Sequence, residues 1–107
     1  MFEIANTPQP PYYAVIFTTR KSADLEGYQE MNERMLELAK EQKGFLGIES
    51  GRGDLGVSVT YWESLEDIAH WKDHAEHKLA QAQGYARWYD AFATRVARVE
   101  RDNFFER

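Results

Sequence analysis

The run Tyr12-Tyr-Ala-Val-Ile-Phe-Thr-Thr-Arg20 is aromatic, β-branched or apolar at almost every position. That pattern fits a β-strand covered on both faces, because a strand with one wet side alternates apolar and polar residues. A strand of this kind needs a layer of protein on each side. The chain has 107 residues, enough for one domain and one core. Two or three helices can cover one face of a small sheet but not both. The second layer is therefore expected from another copy of the chain, and an aromatic content of 14% together with the apolar pair Phe104-Phe105 fits such an interface.

The remaining elements follow from local pattern. Pro8, Pro10 and Pro11 mark residues 1–11 as a tail, since proline removes backbone donors and biases its predecessor toward extended geometry. From about Asp24 to Gln42, Leu25, Tyr28, Met31, Met35 and Leu38 recur at helical steps, and Gly44 provides a stop. Phe45 to Ser50 and Gly56 to Trp62 read as strands joined by Gly51-Arg-Gly-Asp54, whose glycines and aspartate are expected to supply positive φ for a hairpin. The Arg-Gly-Asp tripeptide needs no role beyond that turn. Ser64-Leu-Glu-Asp67 has the form of an N-cap, so a helix should start there with Leu65, Ile68 and Trp71 on its buried side. A further helical stretch is expected to about Asp90, with Leu79, Ala82, Ala86 and Tyr89 on one stripe.

The last segment reads two ways. Phe92, Val96 and Val99 have helical spacing, while Thr94 to Glu100 has the β-branched density of an edge strand. Counting elements favours the strand, because it completes an α+β, ferredoxin-like β-α-β-β-α-β arrangement. The domain then spans residues 12–102, with a C-terminal tail over 103–107.

Composition removes several functions. A net charge of −5 argues against nucleic acid or an anionic membrane as partner. The chain has no cysteine, which excludes thiolate nucleophiles and cysteine-based metal sites. It has no long apolar run and no signal-like start, so a cytoplasmic location is expected. No Ser-His-Asp arrangement and no glycine-rich phosphate loop has sequence support.

His70, His74 and His77 are the only histidines, and they fall within eight residues. On an unbroken helix they share a sector about 120° from the stripe of Ile68, Ala75, Leu79, Ala82 and Ala86, and would face solvent. Two of them at i and i+4 suit a zinc ion in principle, but a polar helix flank lacks the enclosing second layer such a site needs, so no metal is expected. Trp62, Trp71 and Trp88, with Tyr61, Tyr85 and Tyr89, serve as core and interface packing or as the wall of an aromatic pocket. Phe17 is a candidate pocket floor. Arg87 suits either an ion pair or a substrate oxyanion.

Val59-Thr-Tyr-Trp-Glu-Ser-Leu-Glu-Asp-Ile-Ala-His-Trp-Lys72, Glu76-His-Lys-Leu-Ala-Gln81, Gly84, Arg87-Trp-Tyr89 and Arg95-Val-Ala-Arg-Val-Glu-Arg101 together resemble the antibiotic biosynthesis monooxygenase family of dimeric α+β-barrel proteins. The resemblance implies a homodimer packed sheet to sheet, C-terminal segments that cross to the partner, and a pocket between each sheet and its helices. Activities in that family include cofactor-independent oxygenation of aromatic compounds, haem degradation and the handling of small signalling molecules. The resemblance also suggests a helix break near His74-Ala75, which would turn His77 toward the pocket. On this reading His77 is the candidate base, Trp71 matches the family's pocket tryptophan, Phe17 lines the floor, and Tyr61 or Arg87 donates to an oxyanion. The expected activity is cofactor-independent oxygenation of a small phenolic or quinone-like compound. The alternatives are haem binding or degradation and a non-catalytic, dimeric ligand-binding protein. Against haem, Gln81 stands near where haem-degrading relatives place their ligand histidine, about three turns beyond the tryptophan, and Ala14 to Thr18 lack their first-strand asparagine.

Overall fold

The computed structural model describes residues 3–81 and 87–107, except the side chains of His77, Leu79, Ala80 and Gln81. Its elements run β1 (Tyr12–Lys21), α1 (Tyr28–Lys40), β2 (Phe45–Gly51), β3 (Gly56–Trp62), α2 (Leu65–Gln81) and β4 (Tyr89–Val99). The four strands form one sheet in the order β2-β3-β1-β4, with every neighbouring pair antiparallel. This is the ferredoxin-like arrangement of two interleaved β-α-β units. The apolar run of β1 takes a central place, between β3 and β4.

Register assigns the sheet's faces, because directly opposed residues in an antiparallel pair point the same way. Tyr13 opposes Trp62, Val15 opposes Thr60 and Val96, and Thr19 opposes Phe92. This face meets the helices, since Trp62 stacks on Trp71 of α2 with ring centroids 6.2 Å apart. Trp62 is wholly buried, and Ile68 of α2 and Ala39 of α1 are buried with it. The other face carries Tyr12, Ala14 and Ile16 of β1, Val59 and Tyr61 of β3, Glu49 of β2, and Ala97 and Val99 of β4. Within one subunit its centre is only half covered: Ile16 and Val59 are half-buried, and Ala97 and Val57 are exposed.

Several junctions have clear local causes. Gly27 at φ 80° leads into α1, a left-handed conformation glycine adopts without strain. Gly44, at φ 84°, closes the turn from α1 into β2, and a Cβ there would collide with the Asp67 carboxylate. The same aspartate completes the start of α2: its N–H donates to Ser64 Oγ at 3.1 Å, and Ser64 Oγ–H donates to its Oδ2 at 2.8 Å.

The structure departs from the sequence expectations at four places. The hairpin glycines do not supply positive φ; among the described residues the glycines in the left-handed region are Gly27 and Gly44. Leu65 is 55% exposed rather than buried, because it occupies the first turn of α2, outside the stripe led by Ile68. Helix does not continue to Asp90. β4 already begins at Tyr89, because β1 extends to Lys21 and offers that residue a ladder partner, with Ser22 N–H donating to Trp88 O at 2.8 Å just beyond. Finally, α2 runs unbroken from Leu65 to Gln81, so the break expected near His74-Ala75 is absent.

Candidate functional site

On α2 the inward stripe contains Ile68, buried, with Trp71, His74, Ala75 and Lys78 half-buried. Residues three and four apart share a helix face, and the Trp71–Trp62 stack sets which face turns inward. That stack rotates the helix toward the histidine side of the expected stripe. His70 remains exposed. His74 does not point away to solvent: its ring lies 5.8 Å from that of Trp71, tilted by 35°. Its Nε2 is buried and has no hydrogen-bond partner among the described residues. A buried polar atom without a partner costs free energy, which makes this imidazole the candidate functional group of the helix-facing side.

The wall beside this imidazole is aromatic. Trp62 stacks on Trp71 and meets Phe45 edge-on at 5.4 Å, and its indole N–H donates to Thr60 Oγ1 at 2.9 Å. Further along the same face, Phe17 packs against Tyr89 at 5.6 Å and Phe92 at 5.7 Å, while Tyr28 of α1 meets Tyr89 and Trp88 edge-on. Phe92 and Val96 keep about half their surface exposed at the β4 edge.

Of the five residues singled out from the sequence, the four whose side chains are described are dispersed. Trp71 and Phe17 both belong to the helix-facing side, in the two aromatic groups just described. Tyr61 is on the opposite face, where it donates to Glu49 Oε1 at 2.6 Å. Burial, and then the Glu49 carboxylate that accepts this bond, raise its pKa above the ordinary phenol range. It lines a cavity of about 230 Å³ with Tyr12, Glu49, Val99 and Asp102. Arg87 is held by Asp24 at 3.4 Å and Glu26 at 3.0 Å, an exposed ion-pair arrangement beside an open groove of about 380 Å³. It is not near Tyr61. The His77 side chain lies outside the described residues. The residue the sequence reading passed over is His74, and the available signal was Trp71: taken as the centre of the inward face rather than its edge, it brings the residue three positions on to the border of the core.

Among the described residues no group of three or more His, Asp or Glu is placed to hold a metal ion. No described helix is long and apolar enough to cross a membrane.

A four-stranded antiparallel sheet with two helices on one face, and an aromatic cluster with a buried imidazole between them, define an α+β protein of ferredoxin-like topology. The sequence profile of the Antibiotic biosynthesis monooxygenase family matches residues 11–83, and the chain belongs to that family. It is 48% identical over 105 residues to the uncharacterized protein YqjZ of Bacillus subtilis (strain 168), spanning 96% of this chain and 92% of that protein. Among solved structures, PA3566 from Pseudomonas aeruginosa superposes with a TM-score of 0.66 at 12% identity, covering 90% of this chain and 99% of that one. A candidate antibiotic biosynthesis monooxygenase from Nitrosomonas europaea gives 0.63 at 15% identity, covering 89% and 93%. At those identities the structures speak for the fold.

Proposed function

We propose that the protein is a cofactor-independent oxygenase of a small phenolic or quinone-like compound and works as a homodimer. The observation that carries this reading is the His74 Nε2, buried beside Trp71 with no described partner. An acceptor of this kind takes the proton of a phenol held against the aromatic wall. His74 takes the role of base because α2 is unbroken and turns its imidazole against Trp71. The resulting phenolate is electron-rich at the ring carbon opposite its oxygen, and that carbon reduces dioxygen and bonds to it. His74 returns the proton to the peroxide so formed. The O–O bond then breaks with loss of the ring C–H, giving a quinone and one water. Phenol plus dioxygen balances quinone plus water, and the ring supplies all four electrons. The protein's part is to bind, to exclude water and to move one proton.

The half-covered apolar centre of the open sheet face supports the dimer, since a strand as apolar as β1 is stable when both its faces are covered. Sedimentation at micromolar concentration is expected to give twice the chain mass. The activity is tested by dioxygen uptake on a panel of phenols, with quinone and water formed in step with oxygen consumed. Haem is the second reading, because an unpartnered imidazole also suits axial ligation. A Soret shift on haem titration without phenol-dependent uptake would favour it. Tight binding of a phenol with neither signal would favour a non-catalytic binding protein.

A further inference from the structure

Trp62 has no exposed surface, and a buried indole N–H requires an acceptor. It takes Thr60 Oγ1 at 2.9 Å, two residues back on the same face of β3. That bond occupies one lone pair of the hydroxyl and restricts its rotation. The hydroxyl hydrogen is left over, and it meets no acceptor among the described residues. Thr60 is half-buried on the helix-facing side of the sheet, opposite Val15.

The Thr60 hydroxyl is also on the imidazole's side of the tryptophan stack. α2 starts three residues after β3 ends and packs back against it. Counted from the Trp71–Trp62 stack, His74 is about 4.5 Å further along α2 and Thr60 about 6.6 Å back along β3, so both fall on the same side of that stack. One side of the sheet thus holds an unused acceptor, His74 Nε2, and an unused donor, the Thr60 hydroxyl, joined through the Trp71–Trp62 stack. A phenolic oxygen needs such a pair: an acceptor for its proton and a donor for the negative charge that remains.

We infer that Thr60 is the oxyanion donor of the site, directed by the Trp62 indole N–H at the phenolate oxygen from which His74 takes the proton. This inference rests on the oxygenase reading and adds to it a residue and a bond. A donor fixed in advance toward developing charge stabilises it without reorganising as the reaction proceeds. Val15 of β1 and Ile48 of β2, which pair with Thr60 from either side, offer no competing polar group.

The test uses 4-nitrophenol, whose phenolate has its own visible absorption band, titrated into the wild type and into Thr60→Val, Thr60→Ser and His74→Gln. Valine is expected to weaken binding of the phenolate about tenfold and to raise the pKa of the bound phenol by about one unit. Serine keeps both the acceptor for Trp62 and the donor, and is expected to restore the wild-type values. Loss of the Trp62 partner alone would lower the melting temperature of the valine variant but would not move the ionisation of the bound phenol. If the valine variant binds and ionises the probe as the wild type does, the Thr60 assignment is wrong, whatever His74→Gln does. If His74→Gln is unchanged while valine is impaired, Thr60 stands and the base assignment falls. If the wild type binds no 4-nitrophenol, both are overturned.

Discussion

The two faces of the sheet treat their polar side chains in opposite ways. On the open face the phenols and carboxylates at the sheet's end are joined. Tyr61 donates to Glu49 Oε1, whose Oε2 accepts the Ala5 N–H at 2.9 Å, while Tyr12 donates to Asp102 Oδ2 at 2.7 Å and accepts from Thr7 at 3.0 Å. These bonds tie both terminal segments to the sheet, and Gly47 lets Ala5 lie close against it. On the helix-facing side the His74 Nε2 is buried and idle, beside a wall of three large rings. A satisfied polar network rigidifies the structure around it, whereas an unsatisfied one stores an interaction for something absent. Structure is maintained on one face, and the proposed chemistry has its unpaired group on the other.

The sharpest way to break this contrast is to delete the idle group. His74→Ala is expected to lower phenol-dependent oxygen uptake by about a hundredfold or more while costing stability at most about 1 kcal/mol, the ring contact with Trp71. His70→Ala, an exposed neighbour one turn earlier, should leave the rate unchanged. The reverse experiment removes a working group: Glu49→Ala strands the Tyr61 hydroxyl and the Ala5 N–H, and is expected to cost about 2 kcal/mol in urea unfolding with little effect on turnover. A rate loss in Glu49→Ala larger than in His74→Ala would reverse the assignment of the faces.

The smallest effect is a pH dependence. Tyr61 and Tyr12 both have pKa values raised in the folded chain, first by burial and then by their carboxylate neighbours, partly offset at Tyr12 by the bond from Thr7. In the unfolded chain these phenols ionise near pH 10. Above that pH the unfolded state loses their protons while the folded state keeps them, so stability falls as pH rises. Below it their contribution is fully present. The melting temperature is expected to drop between about pH 9.5 and 11, and Tyr61→Phe should make that drop shallower.

Much of this architecture was legible because it is local. The apolar run of β1, the Gly44 stop and the Ser64 cap each specify their element within a few residues. The start of β4 was not, since residues 89–91 have no β-branched side chains and take their conformation from pairing with β1. The clasp between Ala5 and Glu49 joins residues 44 apart and leaves no local trace. His74 was hidden for a different reason. The stripe expected from Ile68, Ala75, Leu79, Ala82 and Ala86, the last two outside the described residues, points one way, but the stacked tryptophan pair buries a large area and turns the helix toward the histidine. Large aromatics are the better guide to a helix's inward face.

The central claim is that His74 Nε2 is the group that meets the substrate's phenolic oxygen. Nitrogen-15 NMR of the imidazole side chains reads this atom directly, before any turnover. As 4-nitrophenol is added to the protein without dioxygen, the His74 Nε2 resonance is expected to move and saturate with the binding curve while that of His70 stays in place. A His74 signal that does not respond to a bound phenol would contradict the account.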